Sequence, residues 1–537
     1  MSSGTPRILL LAPCLALACG DDGRSSDSAA LTAGATAEPA TGTTGTGSTG
    51  GPEPTAGTGG ASMGVTGSST TGEPTGGATV GTGTGATGDT GGELPLCGED
   101  PPPGFIGPFD GTCAVEPSQG TFTPVIEWNK KTWAQGPGSR SSVTAPIVVQ
   151  LSDDDGDGAI GPDDMPDVVL ITYNQPDTQT SCWLRAVSGD GQTELWSVQN
   201  AQFSRNQNVS AADIDGDGVV EIVTKAKDQK VYAYEHDGTL KWVSAALGTH
   251  TGAFDSVVSI SDMNGDGKPE LVTGRAILDN EGVLLGAGTH GIGASGSTSA
   301  SFAVDVDGDG EQEVVVGDAL YNLAGATKWF NNLGDGFPGV LDLELDGVPE
   351  IVVVTNGKVR VQRSADGGLV WEAAIPGGAG GPPTVADYDG DGLPEIGIAG
   401  KSRYTVFDTD GASLWTVVTQ DASSGITGST VYDFEGDGVA DVVYADEINL
   451  YVFSGNDGAI KLKLAEHNSG TRIEEPAIAD VDGDGEVEIV FVSESYGGQF
   501  GPVDGLTVVG DANKSWRPGR KIWNQHAYHI TNTVHVV

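Results

Sequence analysis

Positive charge is scarce in this chain. Lys and Arg number 26 against 74 Asp and Glu in 537 residues, which gives a formal net charge of −48. Such an acidic chain repels phosphate backbones and anionic lipid headgroups, so nucleic acid is excluded as an expected partner, as is direct binding to an anionic membrane surface. The sequence also lacks any apolar run approaching the ~18 residues of a transmembrane helix, and none is expected.

Motifs of enzymatic catalysis are missing as well. None of the seven histidines lies in an HExxH motif, and neither a GxSxG nor a P-loop pattern occurs. His526 and His529 could form a zinc pair, but they lack a third ligand, and this spacing favours packing or a surface position. We therefore expect no catalytic residues and no enzymatic activity.

Cysteine is rare, and no CxxC metal pattern occurs among its five residues. Cys97 and Cys113 flank a Pro/Gly-rich segment and are predicted to form a disulfide at the start of the folded region, as in an oxidising compartment. Cys182 follows no such pattern. Its position beside Trp183 favours a buried thiol.

The N-terminus is typical of an export signal. Residues 1–18 contain Arg7, a short apolar run and small residues before Cys19, in the manner of a bacterial lipobox. Cys19 is therefore the predicted lipidation site, and the alternative is an ordinary secretory signal cut nearby. We expect an exported protein on the outer membrane or cell surface that contacts the membrane only through its lipid anchor; in the alternative, it is secreted.

A Gly/Thr-rich tether follows over residues 19–95. Within it, residues 41–90 contain 17 Gly and 16 Thr and lack Leu, Ile and aromatic residues. A segment of this composition cannot bury a core, so it is predicted to be disordered.

From residue 150 onward one pattern recurs eight times: Asp-x-Asp-x-Asp-Gly-x-x-Glu. We number these segments loop 1 to loop 8 in chain order. Loops 5 and 7 carry Glu at the third position, and loop 1 has an insertion, so Asp167 is predicted to take its last acidic role. The predicted ligands are Asp153, Asp155, Asp157 and Asp167; Asp213, Asp215, Asp217 and Glu221; Asp262, Asn264, Asp266 and Glu270; Asp305, Asp307, Asp309 and Glu313; Asp342, Glu344, Asp346 and Glu350; Asp387, Asp389, Asp391 and Glu395; Asp433, Glu435, Asp437 and Asp441; and Asp480, Asp482, Asp484 and Glu488.

These residue types point to Ca²⁺. Alternating carboxylates converge when the chain curls into a tight loop, and a hard cation of this size accepts six to eight oxygen ligands. Glycine at the sixth position permits the positive φ that such a loop needs. An EF-hand begins in the same way but requires helices on both sides, whereas short β-branched runs flank these loops.

Each repeat predicts four strands. Two strands enclose the acidic loop, and a third strand, an Asp-Gly turn and a fourth strand follow, usually with a Trp about four residues after the turn. The loops start on average about 47 residues apart, and a four-stranded unit with this period is typical of a β-propeller blade. The Trp is interpreted as packing between blades.

The loops resemble FG-GAP/VCBS-type repeats, as found in the N-terminal propeller of integrin α chains and in bacterial surface proteins. The resemblance implies an all-β propeller of seven or eight blades, with Ca²⁺ loops on one face and ligands on the other. Eight loops favour eight blades. We place the propeller at residues 145–516, with its last unit ending at Trp516, and a tail at 517–537. The segment 96–144 supplies a possible closing strand at Val125–Trp128.

The resulting functional hypothesis is a tethered, Ca²⁺-stabilised module for binding or adhesion. Its ligand, a protein or a glycan, is expected on the face opposite the loops, where the turns Gly248-Thr249-His250 and Gly288-Thr289-His290 would bring two imidazoles together. Simple repeat ancestry is the competing interpretation of these turns. The alternative function is a propeller enzyme, either a polysaccharide lyase or a quinoprotein-like dehydrogenase.

Overall fold

The computed structural model describes residues 122–175, 182–252, 255–295, 298–472, 474–495, 498–499 and 501–526. The predicted signal, the lipidation site Cys19, the tether, the Cys97–Cys113 disulfide and His529 lie outside these ranges. Within them, no helix has the length and apolar character needed to cross a membrane.

The fold is all-β, with eight antiparallel four-stranded sheets that form the blades of a propeller. Blades 1 to 4 contain β2 (Ile147–Val149), β3 (Asp167–Thr172), β4 (Trp183–Ser188), β5 (Glu194–Gln199); β6 (Val209–Ala212), β7 (Glu221–Lys225), β8 (Val231–Tyr234), β9 (Leu240–Val243); β11 (Ser259–Ser261), β12 (Glu270–Thr273), β13 (Ala276–Leu278), β14 (Leu284–Ala287); and β17 (Phe302–Val304), β18 (Glu313–Val315), β19 (Ala319–Tyr321), β20 (Thr327–Phe330). Blades 5 to 8 contain β21 (Phe337–Leu341), β22 (Glu350–Thr355), β23 (Lys358–Arg363), β24 (Leu369–Ala374); β25 (Thr384–Ala386), β26 (Glu395–Gly400), β27 (Arg403–Phe407), β28 (Ser413–Val418); β29 (Thr430–Tyr432), β30 (Asp441–Ala445), β31 (Leu450–Phe453), β32 (Ile460–Leu464); and β33 (Ala477–Ala479), β34 (Glu488–Ser493), β35 (Gly505–Asp511), with β1 (Pro124–Lys130). A small sheet of β10 (Asp255–Ser256), β15 (Ala294–Ser295) and β16 (Thr298–Ser299) and a 3₁₀ turn at Gly248–His250 lie in the connections between blades.

Burial within a blade follows from its place between two neighbours. The second strand has neighbouring blades on both of its faces, and β22 (EIVVVT) accordingly buries its four central residues completely. The fourth strand lies at the rim, where β24 (LVWEAA) alternates between exposed and half-buried residues. The β-branched runs of the sequence therefore become buried second strands, and the Trp-containing segments become the rim.

The ring closes with the N-terminal strand. β1 pairs antiparallel with β35 from Pro124–Asp511 to Lys130–Leu506 and so supplies the fourth strand of blade 8. The predicted closing strand and the eight blades are thus confirmed. The expectation that the last unit is complete up to Trp516 is wrong, because the chain leaves the sheet at Asp511 and Trp516 is buried in the core instead.

Tryptophans of six fourth strands contact the next blade, whereas Gly286 in blade 3 and Leu462 in blade 7 hold the equivalent position. Trp196 of blade 1 donates its indole N–H to the His236 carbonyl of blade 2 at 2.6 Å. Its ring covers Gly238, where an added Cβ would lie 2.8 Å from the indole, so glycine is required there. Trp128 of β1 makes the same contact from blade 8 to blade 1, donating to the Gly189 carbonyl at 2.7 Å. The predicted packing of tryptophan between blades is confirmed, and the contact that repeats around the ring also closes it.

The tail continues the fold rather than leaving it. Between residues 517 and 526 it runs along the innermost strands, where the Trp523 backbone exchanges two 2.8 Å hydrogen bonds with Val148 of blade 1. The Asn524 side chain then donates to the Ala211 carbonyl of blade 2 at 2.8 Å. Residues 523–526 of the predicted tail are therefore buried in the propeller core, whereas Arg517 and Arg520 stay exposed.

Candidate metal centre

A common set of hydrogen bonds shapes the acidic loops. In loop 2, Asp213 accepts the Gly216 N–H at Oδ1 (2.7 Å) and the Gly218 N–H at Oδ2 (2.9 Å). Both glycines have positive φ, 80° and 91°. The ninth-position acid, Glu221, accepts the Ile214 N–H at Oε2 (2.9 Å) from the start of β7. These bonds curl the loop and hold its first and last acids against each other.

The hydrogen bonds of loop 2 recur in the other loops and occupy particular carboxylate oxygens. Across loops 3, 4, 5, 6 and 8 the ninth-position acid also binds the second-position N–H through Oε2, in the pairs Glu270–Met263, Glu313–Val306, Glu350–Leu343, Glu395–Tyr388 and Glu488–Val481. At the third position, Oδ1 of Asp155, Asp389 and Asp482 accepts the N–H two residues on. Oδ2 of the third acid and Oε1 of the ninth are therefore the oxygens left for a cation.

In five loops, three acids each offer one oxygen, and these three oxygens lie within 4.8 Å of one another. The groups are Asp153, Asp155 and Asp164; Asp213, Asp215 and Glu221; Asp305, Asp307 and Glu313; Asp387, Asp389 and Glu395; and Asp480, Asp482 and Asp484. Every donor is a carboxylate. Oxygen ligands of this kind suit a hard cation such as Ca²⁺, whereas Zn²⁺ prefers nitrogen and sulfur ligands. The structure thus supports these loops as candidate metal sites.

In loop 1 the group of convergent oxygens contains Asp164 and not the predicted Asp167. Asp167 pairs with Val149, so the Asp-x-Asp motif begins three residues further from the strand than it does in loop 2. Asp167 keeps the strand-end role and accepts the Leu151 N–H at 2.9 Å. The displaced motif instead recruits Asp164, which joins the oxygen group and was absent from the sequence prediction.

Loop 5 shows backbone strain. Leu345 occupies the position that Gly216 holds in loop 2, and it adopts φ 53° with 60% of its surface exposed. A side chain at positive φ is unfavourable, because Cβ approaches the following carbonyl oxygen. Loops 5 and 7, the two with Glu at the third position, do not form a group of three convergent oxygens within the described residues.

Loop 8 crowds several carboxyl groups together, although Lys514 contacts one of them, Asp484. Burial raises the pKa of Glu488 to about 10, and nearby carboxylates add to the rise against a hydrogen bond from the Val481 N–H. Glu127 of β1 is one of those carboxylates, and burial followed by repulsion from Asp482 and Asp484 raises its own pKa to about 7. A bound cation would relieve this repulsion, so the electrostatics of loop 8 fit a metal ion.

Lysines contact acidic side chains in four of the loops, and the sequence analysis missed them. One is Lys514, which contacts Asp484 in loop 8; the other three lie on the fourth strands. Lys241 Nζ lies 2.6 Å from Asp215 Oδ2 and 3.0 Å from Glu221 Oε1 in loop 2. Lys328 in loop 4 and Lys461 in loop 7 make equivalent contacts. For the three on the fourth strands, the available sequence signal was their position, directly before the recurring Trp or the Leu that replaces it.

The two Gly-Thr-His turns lie on the opposite face. Antiparallel order places the acidic loops and Asp-Gly turns at one end of the strands and the connections between blades at the other. Arg275 lies between the turns: its Nε is 3.5 Å from His250 Nδ1, and its Nη1 donates to the His290 carbonyl at 2.8 Å. The His290 ring stacks on Phe330 at 3.7 Å. Arginine therefore bridges the two turns, and one imidazole is part of an aromatic pair.

Two further sequence predictions concern buried groups. Cys182 is a buried thiol, as predicted. His526 is also buried, and its Nδ1 lies 2.7 Å from Glu475 Oε1. This pairing with an acid places His526 in the interior rather than at the surface.

Comparison with known proteins supports the repeat assignment. A family model described as "FG-GAP-like repeat" matches residues 342–398, 387–444 and 433–491, each match running from one acidic loop past the next. The chain therefore carries FG-GAP-like repeats over these residues. No curated protein sequence matches the chain significantly.

Similar solved structures share the fold. The biofilm matrix protein Bap1 of V. cholerae superimposes with a TM-score of 0.68 and 22% identity, covering 77% of this chain and 96% of that chain. The rhamnogalacturonan lyase of Bacillus licheniformis gives a TM-score of 0.50 and 15% identity, covering 78% and 84%. At these identities the likeness establishes the propeller fold alone.

Proposed function

We propose that this chain is an exported, lipid-anchored surface protein whose Ca²⁺-stabilised propeller binds an extracellular protein or glycan. The observation that carries the proposal is the difference between the two faces of the propeller. One face holds the curled acidic loops with their convergent oxygens, and the other holds long connections that take no part in those loops.

Calcium has a structural role in this proposal. The carboxylates turn inward around the cation, which joins the first strand of a blade to the second and offsets the repulsion within the loop. Few loop side chains then remain to contact a ligand. The biofilm matrix role named for the similar protein Bap1 agrees with a place outside the cell.

The ligand is expected on the face of the connections. The His290–Phe330 pair offers a flat aromatic surface, and Phe330 is 40% exposed. Arg275 beside it provides N–H donors whose backbone contacts also fix the two turns in place. A rigid aromatic surface beside a cation suits a sugar ring or an acidic peptide.

The alternative is a lyase, as in the similar rhamnogalacturonan lyases. A lyase needs a base beside its substrate, and Tyr321 lies next to His290, whose N–H it accepts at 2.8 Å. Burial raises the pKa of Tyr321 to about 12, so its phenol would be a poor base at neutral pH. Unsaturated products from acidic polysaccharides would favour this alternative over a binding function.

The test is a glycan array and a pull-down with the purified propeller, in Ca²⁺ and in EDTA. We expect binding in Ca²⁺ that His250→Ala with His290→Ala, or Phe330→Ala, removes without lowering the melting temperature. Val348→Ala, at an exposed site on the loop face, is the matched control and should bind fully. Loss of binding by Val348→Ala, with full binding by the other variants, would place the ligand on the face of the acidic loops and contradict the proposal.

A further inference from the structure

The fourth strand of every blade contains a β-bulge at the same place. In each blade the pairing with the third strand slips by one residue, leaving one extra residue directly before the Trp position. The extra residues, from blade 1 to blade 8, are Leu195, Lys241, Leu285, Lys328, Val370, Leu414, Lys461 and Glu127. Because a bulge re-aims its side chain, this residue can differ between blades without disturbing the strand.

Lysine at the bulge reaches the oxygens that a metal ion would use. In blade 4, Lys328 Nζ lies 2.7 Å from Asp307 Oδ2 and 2.5 Å from Glu313 Oε1. Glu313 Oε2 is already bound to the Val306 N–H, so the ammonium takes the oxygen that remains. Lys241 contacts the same two positions in blade 2.

Blade 7 has the same arrangement with a different acid. Lys461 Nζ lies 2.8 Å from Glu435 Oε1 and 2.7 Å from Asp441 Oδ1. Arg517 adds a second cation to this loop, 3.2 Å from Asp433 Oδ2. The ninth-position acids of these three blades are almost fully buried, with Glu221 and Glu313 1–2% exposed and Asp441 0%. Each therefore needs a counter-ion, and the lysine is within contact distance to supply it.

The other blades have no cation at the bulge. Leu195, Leu285, Val370 and Leu414 are apolar, and Glu127 in blade 8 adds a further carboxylate. Lys514 also contacts loop 8, but it lies outside the bulge and pairs with the fifth-position Asp484. A cation next to an ammonium is repelled, whereas one next to a fifth carboxylate is attracted, so identical Asp-x-Asp-x-Asp loops cannot have equal demand for metal.

We propose that Lys241, Lys328 and Lys461 are resident cations that take the place of Ca²⁺ in blades 2, 4 and 7. The convergent oxygens of loops 2 and 4 then hold an ammonium instead of a metal ion. Eight loops less these three leave at most five loops for the metal, in blades 1, 3, 5, 6 and 8. Every one of those blades borders at least one blade with a resident lysine. The ring thus retains neutralised blades, spaced around it, when Ca²⁺ is low. This inference rests on the proposed Ca²⁺ role of the loops.

The experiment compares Lys328→Met with Lys358→Met. Both remove one positive charge, but Lys358 pairs with Glu372 on an exposed strand, away from the acidic loops in the part of the chain that the structure describes. Bound Ca²⁺ per chain is measured by equilibrium dialysis, and melting temperatures are recorded in EDTA and in Ca²⁺. Leu414→Lys in blade 6 is the reciprocal variant.

We expect the wild type to bind at most five ions, Lys328→Met to bind one more, and Leu414→Lys to bind one fewer. In EDTA, Lys328→Met should melt several degrees below Lys358→Met, and Ca²⁺ should close that gap. Eight ions on the wild type, or an unchanged count in Lys328→Met, would overturn the inference. If no chain binds Ca²⁺ but Lys328→Met still melts low, the resident cation stands and the proposed Ca²⁺ role falls.

Discussion

Removing Ca²⁺ should destabilise the propeller strongly, and the size of the effect can be estimated. Extracellular calcium modules bind at about 10⁻⁴–10⁻³ M, so 10 mM Ca²⁺ is ~100 times the Kd of the tighter sites. Each site at that concentration contributes ~2.7 kcal/mol by mass action. Five sites together contribute ~13 kcal/mol, an upper value because strained loop 5 should bind weakly.

The melting temperature converts this energy into a measurable shift. Unfolding entropy is about 2.1 cal/mol/K per residue, or ~0.8 kcal/mol/K for the ~400 residues of the propeller. A stabilisation of ~13 kcal/mol therefore corresponds to a shift of ~15 °C. Even two tight sites alone would shift melting by ~6 °C.

Calorimetry in EDTA and in 10 mM Ca²⁺ measures this shift. Mg²⁺ at the same concentration is the control, because it screens charge equally but requires a smaller octahedral site. An identical shift with Mg²⁺ would reduce the effect to screening of the net charge of −48. An unchanged melting curve in EDTA would refute a structural role for calcium.

Three further predictions address the loops, the ring and pH. Leu345→Gly should raise the melting temperature in EDTA slightly and increase occupancy of loop 5, because φ 53° costs a side chain ~1–2 kcal/mol; crystallography at limiting Ca²⁺ should show the wild-type loop emptiest. Deleting the chain through Lys130 removes β1 and the Trp128 contact, so blade 8 should lose hydrogen-exchange protection first, and full protection there would contradict ring closure by β1. Burial raises the pKa of Glu474 to about 7. In saturating Ca²⁺ the stability of the fold should therefore fall as pH rises from about 4.5 to 7 and then level off. Glu474→Gln should flatten that slope, and a slope unchanged by the substitution would exclude this carboxyl as its source.

Much of the fold could be predicted from the sequence because each repeat contains the same local sequence patterns. The acidic loop, the β-branched second strand and the Asp-Gly turn recur often enough to fix four strands per unit and eight blades. Ring closure was predictable only as a possibility. The segment around Trp516 and the segment around Trp128 both offered a tryptophan to blade 8, and only the pairing of β1 with β35 decides between them.

The site was less predictable, because ligand identity depends on register. In loop 1 the motif lies three residues further from the strand than in its relatives, and spacing alone assigned the last acidic role to Asp167. The hydrogen bond from Leu151 shows that Asp167 still ends the strand, while Asp164 reaches the displaced carboxylates. An insertion thus separated two tasks that a single residue performs elsewhere.

The lysines were missed for a related reason. Strict alternation along a strand assigns the residue before a packed tryptophan to solvent, where a lysine such as Lys241 needs no explanation. The bulge breaks that alternation in all eight blades, and in blades 2, 4 and 7 it brings a lysine at this position into contact with the loop. Loop sequence therefore sets which oxygens are offered, while the bulge residue sets whether the charge is already balanced. Counting Asp-x-Asp-x-Asp motifs gives only the upper limit to the number of ions that such a propeller binds.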